Sequence, residues 1–252
     1  MSAKDIVVKP ISSQDAARIV KACHYSGKVT QNSQLHFGVF LEGRCGGAMQ
    51  FGPSIDKRKT QGLVEGTGWN GFLELNRMAF ADWLPRNSES RALGVALRMI
   101  RKSYPHIEWV ISFADGTQCG DGTIYRASGF VLTGIKRNTQ MLLMPNGEIV
   151  AKKTLDNPNH MAANGKFGSS KAKEDGARAL PGFQLRYIYF LNLTAKSRLT
   201  VPILPFSEIS RRGAGMYLGK PKRAGGDTTD TAGLQPAEGG SIPTPALHLP
   251  TA

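Results

Sequence analysis

Five side chains are of the types that move protons or hold charge, and each stands where its neighbours make that type costly or unexpected: His24, Tyr25, Arg77, Asp115 and Tyr125. Asp115 closes the apolar run "IEWVISFAD" (107 to 115), where a carboxylate is expensive unless it has a partner or a task. Arg77 interrupts the alternation of "FLELNRMAF" (72 to 80), and a guanidinium there either pairs with Asp115 or holds a phosphate. Tyr125, in "GTIYRASGF" (122 to 130), is either core packing or a proton donor. His24 and Tyr25 follow the first helix as an exposed pair, placed for acid–base work or ligand contact, or in the case of His24 for capping helix carbonyls. A second group, Asn87, Ser88, Ser90 and Arg91, opens a helix. Unpaired N–H groups and the positive dipole end make such a start an anion site, although Ser88 also reads as a simple N-cap.

The elements that must hold these residues follow from periodicity. "DIVVKPI" (5 to 11) alternates as a strand, and "SSQDAARIVKAC" (12 to 23) carries a serine N-cap before helically spaced Ala16, Ile19, Val20 and Cys23. "LHFGVFLEGRCGGAMQFG" (35 to 52) reads as two strands joined by a turn at Glu42 to Arg44, and 61 to 71 reads as a glycine-rich loop. Ala92, Val95, Ala96, Met99 and Ile100 mark one face of a helix over 90 to 104, closed by Pro105. The run 107 to 115 is a buried strand, 122 to 130 a short helix ending at Gly129, 139 to 150 a hairpin around Asn146-Gly147, and 183 to 193 a further strand. That order predicts an α+β (mixed α/β) fold with a mixed sheet. Residues 1 to 150 form the expected core, 151 to 223 a basic extension that completes the sheet, and 224 to 252 a disordered tail with almost no core-forming residues.

Charge and cysteine content narrow the function classes. The chain carries a formal +13, spread as +7 over 1 to 147, +9 over 148 to 223 and −3 over 224 to 252. A surplus of this size points to a polyanionic partner, nucleic acid being the commonest, because neutralised phosphates release counterions. No apolar run is long enough for a membrane span, and the first residues lack a signal-peptide core. Three cysteines without CxxC spacing argue against a disulfide framework and fit a reducing cytoplasm.

The element order, with "YRASGF" closing the fourth helix, resembles the GNAT acyltransferase superfamily. That resemblance implies a central sheet with a splayed strand pair and an acyl-CoA such as acetyl-CoA as donor. It also implies a pyrophosphate turn at the start of the third helix, here "RNSESRALG" without the family's glycines, and Tyr125 as proton donor to the departing thiolate. "HYSGK", "ELNRM", "NSESRAL", "SFADG", "GTIYRASGF" and "LPGFQLRYIYF", in that order between 24 and 190, are similar to the phage Mom proteins, a family named for the DNA modification enzyme of phage Mu.

The Mom resemblance implies conversion of adenine in double-stranded DNA to N6-carbamoylmethyladenine, which shields the DNA from host restriction. The paired N6 amine is reachable only if the base is flipped out, and Tyr25, Trp69 and Trp83 are candidate stacking surfaces. Asp115 is then expected to take or orient the N6 proton. Iron has been invoked for the family, and His24, His36 and Asp115 have ligand chemistry, but no HxxxH or HxD spacing supports a metal site. Two other classes fit the same residues: a non-catalytic GNAT-like DNA-binding anti-restriction protein, and an ordinary N-acetyltransferase.

Overall fold

The computed structural model of the chain describes residues 1–117, 120–158, 168–217 and 220–221. The expected tail, 224 to 252, lies outside the described residues. The described chain forms two compact units, Met1–Val110 with Phe190–Leu199, and Ile111–Tyr189 with Thr200–Lys222. Helices and a mixed sheet make the protein α/β, as the pattern predicts. Its seven-stranded sheet runs in the order Val7–Pro10, Leu35–Leu41, Arg44–Gly52, Phe72–Phe80, Trp109–Asp115, Phe183–Phe190, Val131–Arg137.

The first unit holds β1 (Val7–Pro10), α1 (Ser13–Cys23), β2 (Leu35–Leu41), β3 (Arg44–Gly52), α2 (Lys57–Gln61), β4 (Phe72–Phe80) and α3 (Ser88–Ser103). Strands β1 to β4 pair antiparallel with their neighbours. β2 and β3 meet at Glu42-Gly43, whose positive φ angles of 50° and 78° suit the tight hairpin that right-twisted strands need. Ser12 caps α1 by accepting the Asp15 N–H, and Ala16, Ile19 and Val20 pack on Ala48 and Ala79 of the sheet. Further along, Trp109 is fully buried, stacked on Phe72 at 4.4 Å, and donates its indole N–H to Thr67 Oγ1 at 3.0 Å.

In three places the elements differ from the sequence reading. α3 buries Ala92, Leu93, Ala96, Leu97 and Ile100, so Leu93 and Leu97 replace the expected Val95 and Met99. Both stripes obey helical spacing, and the one observed places two larger leucines in the core. α2 falls in a stretch where no helix was expected, nucleated by Asp56 accepting the Lys59 N–H. The strand expected over 183 to 193 ends at Phe190, because Leu191 and Asn192 donate instead to Glu108 O and a 3-10 helix, Leu193–Arg198, follows.

The second unit holds most of β5 (Trp109–Asp115), then α4 (Thr123–Ala127), β6 (Val131–Arg137), β7 (Met141–Leu143), β8 (Ile149–Ala151), α5 (Lys152–Leu155) and α6 (Ser169–Glu174). β9 (Arg178–Ala179), β10 (Phe183–Phe190), α7 (Ser207–Arg211), β11 (Met216–Tyr217) and β12 (Lys220–Pro221) complete it. β10 pairs antiparallel with β6, and a small β8-β7-β9 sheet covers Leu142, Val150, Leu155, Ala172 and Ala177.

Candidate functional site

The register of the first four strands builds a polar row. His36 on β2 faces Gln50 on β3, and Gln50 faces Arg77 on β4. The β3–β4 register then slips, so that Phe51 faces Leu75 and Asn76 is the extra residue of a β-bulge. The bulge explains the broken alternation that singles out Arg77. It turns Arg77 onto the face shared with Ala79 and α1, away from Leu73 and Leu75.

The end of α1 roofs this row. Arg77 donates through Nε to Lys28 O at 2.9 Å and through a terminal nitrogen to Asn76 O at 2.7 Å, which ties the segment after α1 to β4. His24, the C-cap residue of α1, is half-buried rather than exposed as expected, and its ring lies 4.3 Å from that of Tyr25. Burial, with the Arg77 charge adding to it, lowers the His24 pKa to about 4. The Ser26 backbone N–H donates to His24 Nδ1 at 3.1 Å. A backbone N–H only donates, so Nδ1 carries the lone pair and the proton sits on Nε2. His24 at neutral pH is therefore an uncharged hydrogen-bond donor through Nε2.

Gln50 is the residue the sequence reading missed. It is 1% exposed, its Nε2 lies 3.3 Å from His36 Nδ1, and its buried Oε1 has no hydrogen-bond partner among the described residues. An unmet buried carbonyl costs about 1–3 kcal/mol, so this atom calls for a donor, whether an ordered water or a ligand group. Its only sequence signal is a polar residue inside the otherwise apolar "GGAMQFG". Nearby on β4, burial pushes the Glu74 carboxyl pKa up despite hydrogen bonds from Ser54 and Asn76.

Asp115 and Tyr125 belong to the second unit. Asp115 Oδ1 accepts from the Thr117 N–H at 3.0 Å and from Asn138 Nδ2 at 3.2 Å. The Asp115 turn lies against the start of β10, where the Gly116 N–H donates to Phe183 O. A Cβ at Gly182 would stand 1.9 Å from Thr117 Oγ1, so that approach requires glycine. Tyr125, half-buried on α4, packs its ring 5.5 Å from Phe130 and 5.4 Å from Tyr187. Tyr187 donates to Asp121 O at 2.5 Å, and burial raises its pKa, so it serves as a fixed neutral donor.

At the start of α3, Asn87 is the N-cap residue with a left-handed φ of 69° and makes no side-chain cap bond. Ser88 is buried and donates to Pro85 O at 2.6 Å, Ser90 donates to Asn87 O at 3.3 Å, and Arg91 reaches Lys4 O at 3.4 Å. The Ser88 N–H donates to Pro85 O at 3.1 Å, and the start of this 16-residue helix keeps the positive dipole end that favours an anion. Iron fits less well: among the described residues no group of three or more His, Cys, Asp and Glu side chains is placed to hold a metal ion. Also among the described residues, no helix is long and apolar enough to cross a membrane.

These features define a mixed α/β protein with a polar row under a helix C-terminus and a strongly basic chain. The chain belongs to the Mom protein family, whose model matches residues 5–208. It is 38% identical over 202 residues to the methylcarbamoylase Mom of Escherichia phage Mu, covering 79% of this chain and 81% of the relative. Among solved structures, an IAA acetyltransferase from Bacillus cereus aligns at 10% identity and a TM-score of 0.42, over 73% of this chain and 99% of that one. A GNAT-family acetyltransferase from Brucella melitensis in complex with acetyl-CoA aligns at 15% identity and a TM-score of 0.35, over 50% and 82%. At these values the family assignment rests on the sequence match.

Proposed function

We propose that this protein is a transferase that converts adenine in double-stranded DNA to N6-carbamoylmethyladenine in the host cytoplasm, protecting the DNA from restriction. The observation that carries this reading is the 38% match to a methylcarbamoylase over most of both chains, within a family match at 5–208 that contains every candidate site residue. The +13 charge supports a DNA substrate independently of that match.

The base must leave the helix before N6 is accessible, and the first unit carries groups that suit adenine once it does. Gln50 Oε1 accepts an N6–H, the pairing glutamine makes with adenine elsewhere. His24 Nε2–H donates to an acceptor on the bound substrate, acting as a neutral polariser rather than a base. Arg77 fixes the segment that carries both His24 and Tyr25. For the second unit the family resemblance implies Asp115 as a proton acceptor and Tyr125 as a proton donor, roles taken from the resemblance and not from any placement against the first unit. The coenzyme A donor, when bound, would supply the two-carbon unit; plain acyl transfer would leave its carbonyl on N6, so carbamoylmethylation requires bond formation at the methyl carbon and a separate nitrogen donor for the terminal amide. Ser90, Arg91 and the first-turn N–H groups of α3 hold the coenzyme A pyrophosphate, while the buried hydroxyl of Ser88 keeps the turn in shape by bonding Pro85 O.

Nucleoside mass spectrometry of plasmid DNA from bacteria expressing the protein tests the reading. A deoxyadenosine heavier by about 57 mass units, the carbamoylmethyl increment on an extruded base, is expected, and Asp115→Asn should abolish it in folded protein. A gain of about 42 would mean plain acetyl transfer to the base, and unmodified adenine in DNA that the protein still binds would leave only a non-catalytic role.

A further inference from the structure

The first unit contains a cavity of about 260 Å³ that none of the proposed catalytic groups line. Its polar rim is Gln34, Lys57, Asn70, Tyr104 and His106, and Phe72 is part of its apolar lining. Leu35 and Leu73 also line it. Leu35 is the first residue of β2 and Phe72 and Leu73 are the first two of β4, so the cavity lies at the start of these strands, while the polar row of His36, Gln50 and Arg77 crosses β4 further along, at Arg77. Tyr104 is the C-cap of α3, a 16-residue helix, so the cavity is about 24 Å along the helix from the start assigned to the donor.

The elements that carry the rim residues Lys57, Asn70 and Tyr104 also carry the two components by which proteins hold nucleic acid, cations and an aromatic ring. Lys57, Arg58 and Lys59 are consecutive on α2, and Arg101 and Lys102 occupy the last turn of α3; all except the half-buried Lys57 are exposed. Trp69, next in sequence to the rim residue Asn70, is 53% exposed. Lys57 bridges the two components: its Nζ lies 4.5 Å from the Trp69 ring centroid and donates to Asn70 Oδ1 at 3.0 Å. Tyr104, 36% exposed, meets His106 edge to face at the same rim.

We infer that this cavity and its rim form a second DNA-contact surface, taking the duplex that flanks the target adenine. The cations neutralise phosphates, and Trp69, Asn70 and Gln34 take a nucleobase edge. The inference rests on the DNA reading above and adds to it a contact remote from the reacting groups.

Fluorescence anisotropy with a labelled DNA duplex, at several salt concentrations, tests it on the full chain. Trp69→Ala should weaken binding about tenfold, with Trp69→Phe recovering most of the loss. The triple variant Lys57→Ala, Arg58→Ala, Lys59→Ala should make the plot of log affinity against log salt shallower by about 2 to 3, one phosphate contact contributing about 0.9. The two variants probe different components, and their far-UV circular dichroism and melting temperature report whether each is folded. If the wild-type chain binds duplex DNA with a steep salt slope while both variants match it, this surface is not a DNA contact. Absence of wild-type binding would sink the DNA reading itself, and this inference with it.

Discussion

His24 couples the site to pH in a direction that can be worked out. Its pKa in the folded chain is about 4, below the usual 6.5, because burial and Arg77 disfavour the imidazolium. Between those values the unfolded chain binds the proton and the folded chain does not, so stability is present above about pH 6.5 and is lost as pH falls toward 4. The full shift corresponds to about 3 kcal/mol, and partial solvent screening reduces this to about 1–2 kcal/mol. Urea unfolding at pH 7 and pH 4.5 should therefore show His24→Gln losing about 1–2 kcal/mol less than the wild type on acidification, and equal losses would show that His24 is not held neutral. Gln50 separates function from stability in the opposite sense. Gln50→Leu removes a buried carbonyl that has no partner, so the melting temperature should hold or rise. Adenine modification should fall by about 5- to 150-fold, since one base-pairing side chain is worth about 1–3 kcal/mol of discrimination. Unchanged modification would remove Gln50 from substrate recognition.

At the scale of elements, turns and irregularities position the chemistry. The Asp115 turn packs on the first residues of β10 through Gly182, where a Cβ would collide with Thr117 Oγ1 at 1.9 Å. Gly182→Ala should cost about 1–3 kcal/mol by overpacking, and in a Thr117→Ala background it should cost measurably less, a coupling that a double-mutant thermal cycle detects. Additive costs would mean that the two residues do not meet. The same scale shows what the sequence could and could not reveal. Most strands and both long helices were legible, because alternation and helical spacing are properties of a single segment. The break at Arg77 was also visible, but its cause was not, since a bulge exists only between two paired strands and the choice of Asn76 as extra residue depends on β3. Gln50 was hidden for the same reason: only cross-strand register sets it between His36 and Arg77. The α3 stripe was misread by one step because two overlapping faces both satisfied the helical period.

At the scale of the whole molecule, charge decides between a DNA-modifying enzyme and an acetyltransferase of small substrates. Residues 148 to 223 hold 14 basic and 5 acidic side chains, a denser surplus than the first 147 residues carry. The described basic residues of this region are not equivalent. Lys171 is engaged by Asp175 at 2.6 Å and by Glu174, and those partners hold its charge within the protein. Lys153, Lys173 and Arg178 are exposed and are absent from the ion pairs among the described residues. If the chain binds duplex DNA through about 6–10 phosphates, its affinity should fall by about 10³ to 10⁵ between 50 and 200 mM salt. Replacing Lys153, Lys173 and Arg178 with alanine should then make the salt slope shallower by up to about 3, whereas Lys171→Ala should change it by less than about 0.5. The Lys171 comparison matters because both substitutions lower net charge but only one set removes cations available to phosphate. A steep wild-type slope that all four substitutions leave untouched would show that DNA contact does not run through these cations. A flat wild-type slope would instead make the basic balance a matter of solubility, and an amine on a small molecule the better substrate.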